Sequence, residues 1–188
     1  MCMKELIENY KPINMQEEKD KEVILEYLSY FDNLLTRDNN FAHFTSSAFI
    51  VNQDYTKVLM AYHNIYKSYA WLGGHMDGIK DPLKVAIKEA EEESSITNLE
   101  LITNDIISLD VIEVVGHFKR NKWITPHVHL NVTYLFKAND YDFIKEKLDE
   151  NSSVKWLPIA NIDDFVSEEN MLVIYHKIID KMYELIKK

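Results

Sequence analysis

The chain has 188 residues, of which 46% are hydrophobic and 28% charged, so length and composition fit one folded domain with short extensions. The formal net charge of −10 argues against nonspecific binding to a nucleic acid polymer, which needs a basic surface. The single cysteine, Cys2, excludes an intrachain disulfide, and we see neither a secretory signal nor a membrane-spanning run, so we expect a cytoplasmic protein.

The first predicted element is an amphipathic helix over residues 14–35. Asn14 and Glu17 have the spacing of a capping box, and apolar residues recur behind them at helical intervals. A run of polar residues then breaks the pattern. We therefore expect a helical N-terminal extension over residues 1–38 and a main domain over residues 39–188 that includes a C-terminal helix.

The main domain alternates short strand patterns with helical ones. Predicted strands span residues 44–51, 58–62, 69–72, 106–115, 127–137 and 154–157, and predicted helices span residues 82–94, 141–148 and 167–186. The last helix is strongly amphipathic, so we expect it to pack on the domain or to form a homodimer rather than bind a membrane. Strands with helices inserted between them predict an α+β, or mixed α/β, fold.

The most informative segment begins at two glycines, Gly73 and Gly74, which end the predicted strand 69–72 and open a polar loop. Asp81 is a favourable N-cap for the next helix. Pro82 suits the first helical position, because its missing N–H needs no partner there. The segment therefore predicts a strand, a glycine-rich loop and a helix.

Three carboxylates lie on one border of this helix. At about 100° per residue, Glu89, Glu92 and Glu93 fall within an arc of about 100°, beside an apolar face. Like charges at this spacing, near a helix C-terminus, destabilise the helix, and a bound cation would offset the repulsion. Such oxygen ligands favour Mg²⁺, Mn²⁺ or Ca²⁺. The alternative is a solvated acidic helix end.

The segment Gly74–Ile96 resembles the Nudix box, G-x5-E-x7-R-E-U-x-E-E-x-G-U, where U is a bulky aliphatic residue. The spacing is kept over all 23 positions, with Glu89 at the acid after the arginine and Glu92 and Glu93 at the paired acids. The flanks HFTSSAFIVN and HVHLNVTYLF are similar to those of a bacterial Nudix group of unassigned substrate.

The segment also departs from the Nudix box. Lys80, Lys88 and Ser95 stand where the box has its first glutamate, its arginine and its late glycine, and Ala90 stands at an aliphatic position. Lys88 keeps a positive charge but lacks the bidentate fork of arginine. Asp77, an acid in the same loop, is expected to compensate in part for Lys80. The metal-binding half of the motif is intact, whereas its loop-bracing half is altered.

The resemblance implies a mixed β-sheet sandwiched between helices. It also implies hydrolysis of a nucleoside diphosphate linked to another group, with Mg²⁺ or Mn²⁺ as cofactor. The implied metal ligands are Glu89, Glu92 and Glu93. The implied catalytic residues are Glu92 or Glu93, as the base that takes a proton from the attacking water, and Lys88, in the place of the bracing arginine.

Candidate substrate-binding residues lie around the glycines and on the predicted strand 127–137: Trp71, Gly73, Gly74, His75 and His129. Trp71 could stack on a base, with core packing as the alternative. His127 and His129 share one strand face, where substrate contact competes with a plain polar surface, and metal binding would need a third ligand. His43 precedes the predicted strand 44–51 and is interpreted as its cap.

Charged residues after the box offer further candidates. Asp110 and Glu113, on the predicted strand 106–115, are alternative bases. The basic turn of Lys119, Arg120 and Lys122 either contacts phosphates or forms a solvated hairpin tip.

Two other functions fit the same residues. The changes at Lys80, Lys88 and Ser95 fit a degenerate domain that binds a nucleotide as a sensor. An isopentenyl-diphosphate isomerase shares the fold, but the main domain has no cysteine to act as its acid. In each case the expected partner is a small phosphorylated molecule.

Overall fold

The structure is a computed structural model that describes residues 2–119, 121–145 and 151–187. Four α-helices and one short 3-10 helix lie within these ranges. They are α1 Met3–Asn9, α2 Met15–Tyr30, α3 Pro82–Ser94, the 3-10 helix Ile159–Asp164 and α4 Glu169–Ile186. None of these helices is both long and apolar enough to cross a membrane.

The same described ranges contain ten β-strands. They are β1 Ala42–Val51, β2 Lys57–His63, β3 Ser68–Ala70, β4 Leu72–His75, β5 Glu100–Leu101, β6 Ser108–Val114, β7 His117–Lys119, β8 Lys122–Ile124, β9 His127–Lys137 and β10 Asn151–Pro158.

Eight of these strands form one mixed sheet. Its central order is β10-β2-β1-β9-β5, with β3 paired to β2, β4 to β1 and β6 to β9. β1 and β9 run parallel, from Ala42 opposite Val128 to Val51 opposite Lys137, and the other pairs are antiparallel. β7 and β8 form a separate hairpin. The mixed sheet confirms the predicted α+β class.

Helices cover both faces of the sheet, and β1 is buried on both sides. Phe44, Ala48 and Ile50 belong to a core shared with α2 and α3. Phe49 and Val51 belong to a second core beneath α4. Each fully buried Phe, Ile or Val side chain stabilises the fold by about 1.5–3 kcal/mol. This layering confirms the predicted sheet between helices.

A buried ion-pair network joins the two terminal parts of the chain. Lys181 on α4 donates to Glu17 on α2 at 2.8 Å, and Lys177 on α4 pairs with Asp110 on β6 at 2.5 Å. All four side chains are buried, so each charge depends on its partner rather than on water. α1 and α2 also contribute to the main core, while the domain division at residue 38 stays a prediction.

Local hydrogen bonding explains where predicted and observed elements differ. The first predicted helix ends at Tyr30, because Phe31 has an extended backbone with φ −126° and ψ 127°. Residues 141–145 are not helical, since the side chain of Asn139 accepts from the N–H of Tyr141 and forms a turn instead. Residues 146–150, the rest of that predicted helix, lie outside the described residues.

Other elements match the prediction more closely. β9 has the predicted bounds, and α3 and α4 lie where helices are predicted. The short helix α1 is not predicted, because seven residues carry too little periodicity to be recognised.

Candidate functional site

A cleft of about 410 Å³ lies where β1, β4 and β9 meet α3. Side chains and glycines from all four elements line it. They include Thr45 and Ser47 from β1, Gly73, Gly74 and His75 from β4, His129 and Asn131 from β9, and Glu89, Glu92 and Glu93 from α3. Segments far apart in sequence therefore converge on one cleft.

Gly73 and Gly74 lie inside strand β4, which corrects the prediction that they end a strand and open a loop. They pair with Ser47 and Ser46 of β1. A Cβ atom on Gly73 would lie 2.7 Å from the carbonyl oxygen of Ser46. A Cβ atom on Gly74 would lie 2.5 Å from Cδ of Glu89. Glycine is therefore needed here for close approach rather than for a turn.

The three predicted carboxylates of α3 reach the cleft to different depths. The side chain of Glu89 is 18% exposed and packs against Gly74, whereas that of Glu92 is 42% exposed. Glu93 accepts a hydrogen bond of 3.1 Å from the backbone N–H of Gly73. The acidic border of α3 thus packs directly on Gly73 and Gly74 of strand β4 (the glycine strand), so the carboxylates lie next to these glycines.

The two ends of α3 are fixed by different means. Asp81 accepts from the backbone N–H of Leu83 at 3.1 Å, which confirms the predicted cap. The hydroxyl of Ser46 donates to the carbonyl oxygen of Pro82 at 2.7 Å and ties the helix start to β1. At the other end, Ser95 has φ 64°, a left-handed conformation that glycine adopts with less strain.

Lys88 lies between two of the carboxylates. Its Nζ is 2.7 Å from Oε1 of Glu89 and 3.3 Å from Oε1 of Glu92. The hydrogen bond to Glu89 raises the pKa of Lys88 above its ordinary value, so the side chain stays charged. Lys88 thereby reduces the repulsion between the acids, although it does not itself line the cleft.

The loop after β4 is held by the segment before β1. Arg37 donates two hydrogen bonds of 2.8 Å to the carboxylate of Asp77. The N–H of Gly78 donates to the carbonyl oxygen of Leu35 at 2.8 Å. Arg37 and Asp77 both line the cleft, whereas Lys80 is exposed outside it. Arg37 is not predicted as a site residue, because it lies in the polar run that breaks the first helical pattern.

Hydrogen-bonded polar side chains form the floor of the cleft. Thr45 and Ser47 both donate to Oδ1 of Asn131, at 2.8 and 2.9 Å. The amide of Asn131 donates to Thr133 at 3.0 Å. These residues are buried, so the network satisfies groups that water cannot reach.

Histidines from separate strands meet at the cleft. His43 lies inside β1, which corrects its interpretation as a strand cap. Its ring centroid lies 5.1 Å from those of His75 and His129. His127 lies beside them, 4.8 Å from the ring of His43. The sequence pairs only His127 with His129, because the approach of β1 and β4 is a property of the fold.

The aromatic candidates divide between the cleft and the core. Trp71 lines the cleft, and its ring packs edge-on against Tyr175 with centroids 5.2 Å apart. Tyr66 also lines the cleft. Tyr69 packs edge-on against Phe165 and is not among the lining residues. Trp71 thus packs against the core and also faces the cleft, while its stacking on a base stays a prediction.

The acidic candidates for a base separate clearly. Asp110 is buried against Lys177 and does not line the cleft, whereas Glu113 is exposed and does. Glu168, just before α4, also lines the cleft. Burial raises the pKa of the Glu168 carboxyl group above its ordinary value. Glu168 is not predicted as a site residue, because nothing in the local sequence pattern places it near the glutamates of α3.

The predicted basic turn is divided by its position in the β7–β8 hairpin. Lys119 lines the cleft, while Lys122 is exposed on the neighbouring strand. Arg120 lies outside the described residues.

Solved structures with a similar fold include proteins of the Nudix family. A NUDIX family hydrolase from Clostridium perfringens aligns with 24% identity and a TM-score of 0.55, covering 74% of this chain and 97% of that chain. The NUDIX domain of Shewanella oneidensis NrtR complexed with ADP ribose aligns with 16% identity and a TM-score of 0.54, covering 84% and 97%.

A third solved structure, the E. coli dihydroneopterin triphosphate pyrophosphohydrolase, aligns with 15% identity and a TM-score of 0.54, covering 77% of this chain and 96% of that chain. No protein-family model matches the chain, and no curated protein matches it significantly. The chain therefore has the Nudix fold, as the resemblance of residues 74–96 predicts. A fold of this kind hosts several activities, so the function is argued from the site.

Proposed function

We propose that the chain is a metal-dependent Nudix hydrolase that cleaves a diphosphate linkage in a nucleoside diphosphate derivative. The observation that carries this proposal is the set of three carboxylates, Glu89, Glu92 and Glu93, on one border of α3 against the glycine strand. Acids that repel one another in this way are stabilised by a divalent cation.

The donor set fits Mg²⁺. Carboxylate oxygens are hard ligands, and the partial exposure of Glu92 leaves space for the water molecules that Mg²⁺ retains. Lys88 neutralises only one charge among Glu89 and Glu92, so a divalent cation would balance the acids more fully. When bound, the metal neutralises charge that develops on the diphosphate and lowers the pKa of an attacking water.

The residues of the chain orient the substrate and accept the proton. Glu93 is fixed by the N–H of Gly73, so its carboxylate has a defined direction. Lys119 adds positive charge to the cleft wall and can pair with a phosphate. Trp71 offers a ring for a base, while His75 and His129 are placed to contact the substrate.

The proton of the attacking water needs a carboxylate within reach. Of the three α3 acids that line the cleft, Glu92 is the most exposed, and we therefore propose it as the base. Glu113 and Glu168 also line the cleft and are the alternatives. Burial raises the pKa of Glu168, which strengthens it as a proton acceptor once it is ionised.

The proposed substrate class follows from the size of the cleft and from the structural neighbours. A volume of about 410 Å³ suits a nucleotide-sized ligand. The E. coli neighbour acts on dihydroneopterin triphosphate, and the NrtR domain is complexed with ADP ribose. Both molecules contain a phosphoanhydride linkage, the bond that the proposed site would hydrolyse.

A nucleotide sensor without turnover is the second candidate. The ion pairs of Lys88 with Glu89 and Glu92 favour it, because an internal cation already neutralises part of the acidic site. An isomerase of isopentenyl diphosphate is disfavoured, since Cys2 caps α1 instead of lining the cleft.

Turnover on a substrate panel tests the proposal. Purified protein is incubated with Mg²⁺ and nucleoside diphosphate derivatives, and phosphate release is measured after coupling to a phosphatase. We expect metal-dependent release from at least one substrate. Glu92→Gln and Glu93→Gln should each lower its rate by roughly 100-fold or more.

Glu91→Gln is the matched control, because Glu91 is exposed on the same helix and does not line the cleft. Its rate should equal that of the wild type. Tight nucleotide binding with no turnover across the panel would contradict hydrolysis and support the sensor.

A further inference from the structure

Three imidazole rings form a nearly equilateral triangle beside the carboxylates. The ring centroids of His43, His75 and His129 lie 5.0–5.1 Å apart. One ring nitrogen of each histidine lies within 4.8 Å of the other two. The histidines lie on β1, β4 and β9, whereas the carboxylates lie on α3, and His75 and His129 line the same cleft as the carboxylates.

The register of the sheet brings these rings together without a flexible loop. His43 is paired directly with His129 across the parallel β1–β9 ladder. Thr45, two residues further along β1, is paired with His75 of β4. Side chains two residues apart on a strand share a face, so all three rings project to one side. The hydrogen-bonded strands fix the backbone positions of the three histidines before an ion arrives.

His43 carries a buried lone pair. Its side chain is nearly buried, with 5% of the residue exposed, and its Nδ1 lies 3.1 Å from the carbonyl oxygen of Asn39. A carbonyl can only accept, so Nδ1 bears the proton and Nε2 bears the lone pair. Among the described residues, Nε2 of His43 has no hydrogen-bond partner. A buried acceptor without a partner is unfavourable unless something binds it.

His127 sets the tautomer of His129 by the same logic. Nδ1 of His127 lies 2.8 Å from the carbonyl oxygen of Thr125, so that nitrogen is the donor. Its Nε2 lies 3.3 Å from Nε2 of His129, which must therefore supply the proton of this contact. The lone pair of His129 is then on Nδ1. Hydrogen bonds of this outer-shell kind fix and orient histidines that bind metals.

Burial favours the neutral form of all three rings. Burial lowers the pKa of His43, and burial together with the neighbouring His43 lowers the pKa of His75 to about 4. Burial also holds the pKa of His129 well below its ordinary value. A neutral imidazole is the form that binds a metal, so no proton has to leave the cluster first.

We propose that His43, His75 and His129 bind a divalent transition metal of the Zn²⁺ type, independently of the carboxylate site. Three imidazole nitrogens suit Zn²⁺, Cu²⁺ or Ni²⁺ better than Mg²⁺, which prefers oxygen. Three protein ligands leave one position of a tetrahedral site open.

The open position would face the cleft that His75 and His129 line, where a water molecule or a phosphate oxygen can enter. Zn–N bonds of about 2.0–2.1 Å place tetrahedral ligand atoms about 3.3 Å apart. The ring nitrogens, which now lie within 4.8 Å of one another, must therefore approach by up to about 1.5 Å through rotation of the side chains.

Direct metal titration tests the site with Zn²⁺ and Co²⁺ as probes. The full chain is stripped with a chelator, dialysed and titrated by calorimetry in millimolar Mg²⁺, which occupies the carboxylates. Co²⁺ is followed by its visible absorbance, which is intense in a tetrahedral site and weak in an octahedral one. We expect one Zn²⁺ per chain and an intense Co²⁺ spectrum.

A graded set of variants assigns the ligands. His75→Asn and His129→Asn should weaken Zn²⁺ binding by roughly 100-fold or more, and His127→Asn by roughly 10-fold, as expected of an outer-shell partner. His117→Asn is the matched control, since His117 lies on the β7–β8 hairpin and bonds to the carbonyl oxygen of Val115. It should bind like the wild type, and so should Glu92→Gln.

Three results would overturn the proposal: no stoichiometric Zn²⁺ binding by the wild type, binding that survives in both His75→Asn and His129→Asn, or loss in Glu92→Gln. Circular dichroism checks that each variant is folded. If a variant unfolds, the wild-type Co²⁺ spectrum still decides, because a weak octahedral spectrum contradicts a three-histidine site.

Discussion

Two clusters of ion-binding side chains at the cleft are assembled in opposite ways. In the carboxylate cluster, Glu89, Glu92 and Glu93 share a helix border, and Lys88 provides a charge that reduces their repulsion. In the histidine cluster, His43, His75 and His129 meet on three strands. A counter-charge stabilises the first cluster, whereas the sheet register assembles the second.

This difference determines which ion each cluster can select. Charged oxygens on a partly exposed helix border suit a hydrated hard cation, and neutral nitrogens on a rigid sheet suit a borderline transition metal. The two groups are linked through β4, in which Gly73 and Gly74 contact the carboxylates and the next residue is His75. Substitutions in β4 and α3 can therefore test whether the two clusters act independently.

Gly74→Ala should have the largest effect of these changes. The new Cβ would lie 2.5 Å from Cδ of Glu89, so the carboxylate must move. A displacement of about 1 Å in a catalytic site can lower the rate by roughly 100-fold. Turnover with Mg²⁺ measures this loss, and a thermal melt separates it from unfolding. An unchanged rate would show that the position of Glu89 does not matter for catalysis.

Lys88→Ala should raise the affinity of the carboxylates for the metal. Without the ammonium group beside Glu89 and Glu92, the acids attract a divalent cation more strongly. Because the lysine is about half exposed, we expect about a 3–5-fold lower half-saturating Mg²⁺ concentration, equivalent to about 1 kcal/mol. The control is Lys84→Ala, one turn earlier and exposed. Weaker Mg²⁺ binding in Lys88→Ala would mean that the lysine braces the acids more than it competes with the metal.

Ser95→Gly should have the smallest effect and should leave the carboxylate and histidine clusters unchanged. Ser95 has φ 64°, where glycine is less strained, so the free energy of unfolding should rise by about 1 kcal/mol. Denaturant unfolding measures the change, while turnover and Zn²⁺ binding should match the wild type. A loss of stability would indicate that the serine side chain makes contacts that outweigh the backbone strain.

The sequence predicts the carboxylate cluster better than the histidine cluster, for a physical reason. Asp81, Pro82 and the glutamates lie within one helix, so local periodicity and capping rules place them relative to one another. The histidine cluster depends on the parallel pairing of β1 with β9, which joins residues far apart in the chain. The local signs of it are His127 and His129, which share one strand face, and the polar residues His43, Thr45 and Ser47, which alternate along β1.

Two errors at the site have the same origin. Glycines usually mark turns, so Gly73 and Gly74 are predicted as a loop, although the approach of Glu89 and β1 keeps them in a strand. Arg37 lies in a polar run that is typical of a linker, although it holds Asp77 of the loop after β4. In both cases the deciding contact is with a distant part of the chain.

The most direct test of the central claim measures metal occupancy and turnover on the same samples. Mn²⁺ binding, followed by electron paramagnetic resonance, is compared with hydrolysis in the wild type, Glu93→Gln and Glu91→Gln. We predict that Glu93→Gln loses most of its Mn²⁺ binding and turnover together, while Glu91→Gln keeps both. Hydrolysis that persists in Glu93→Gln, or that does not require a divalent cation, would contradict the account.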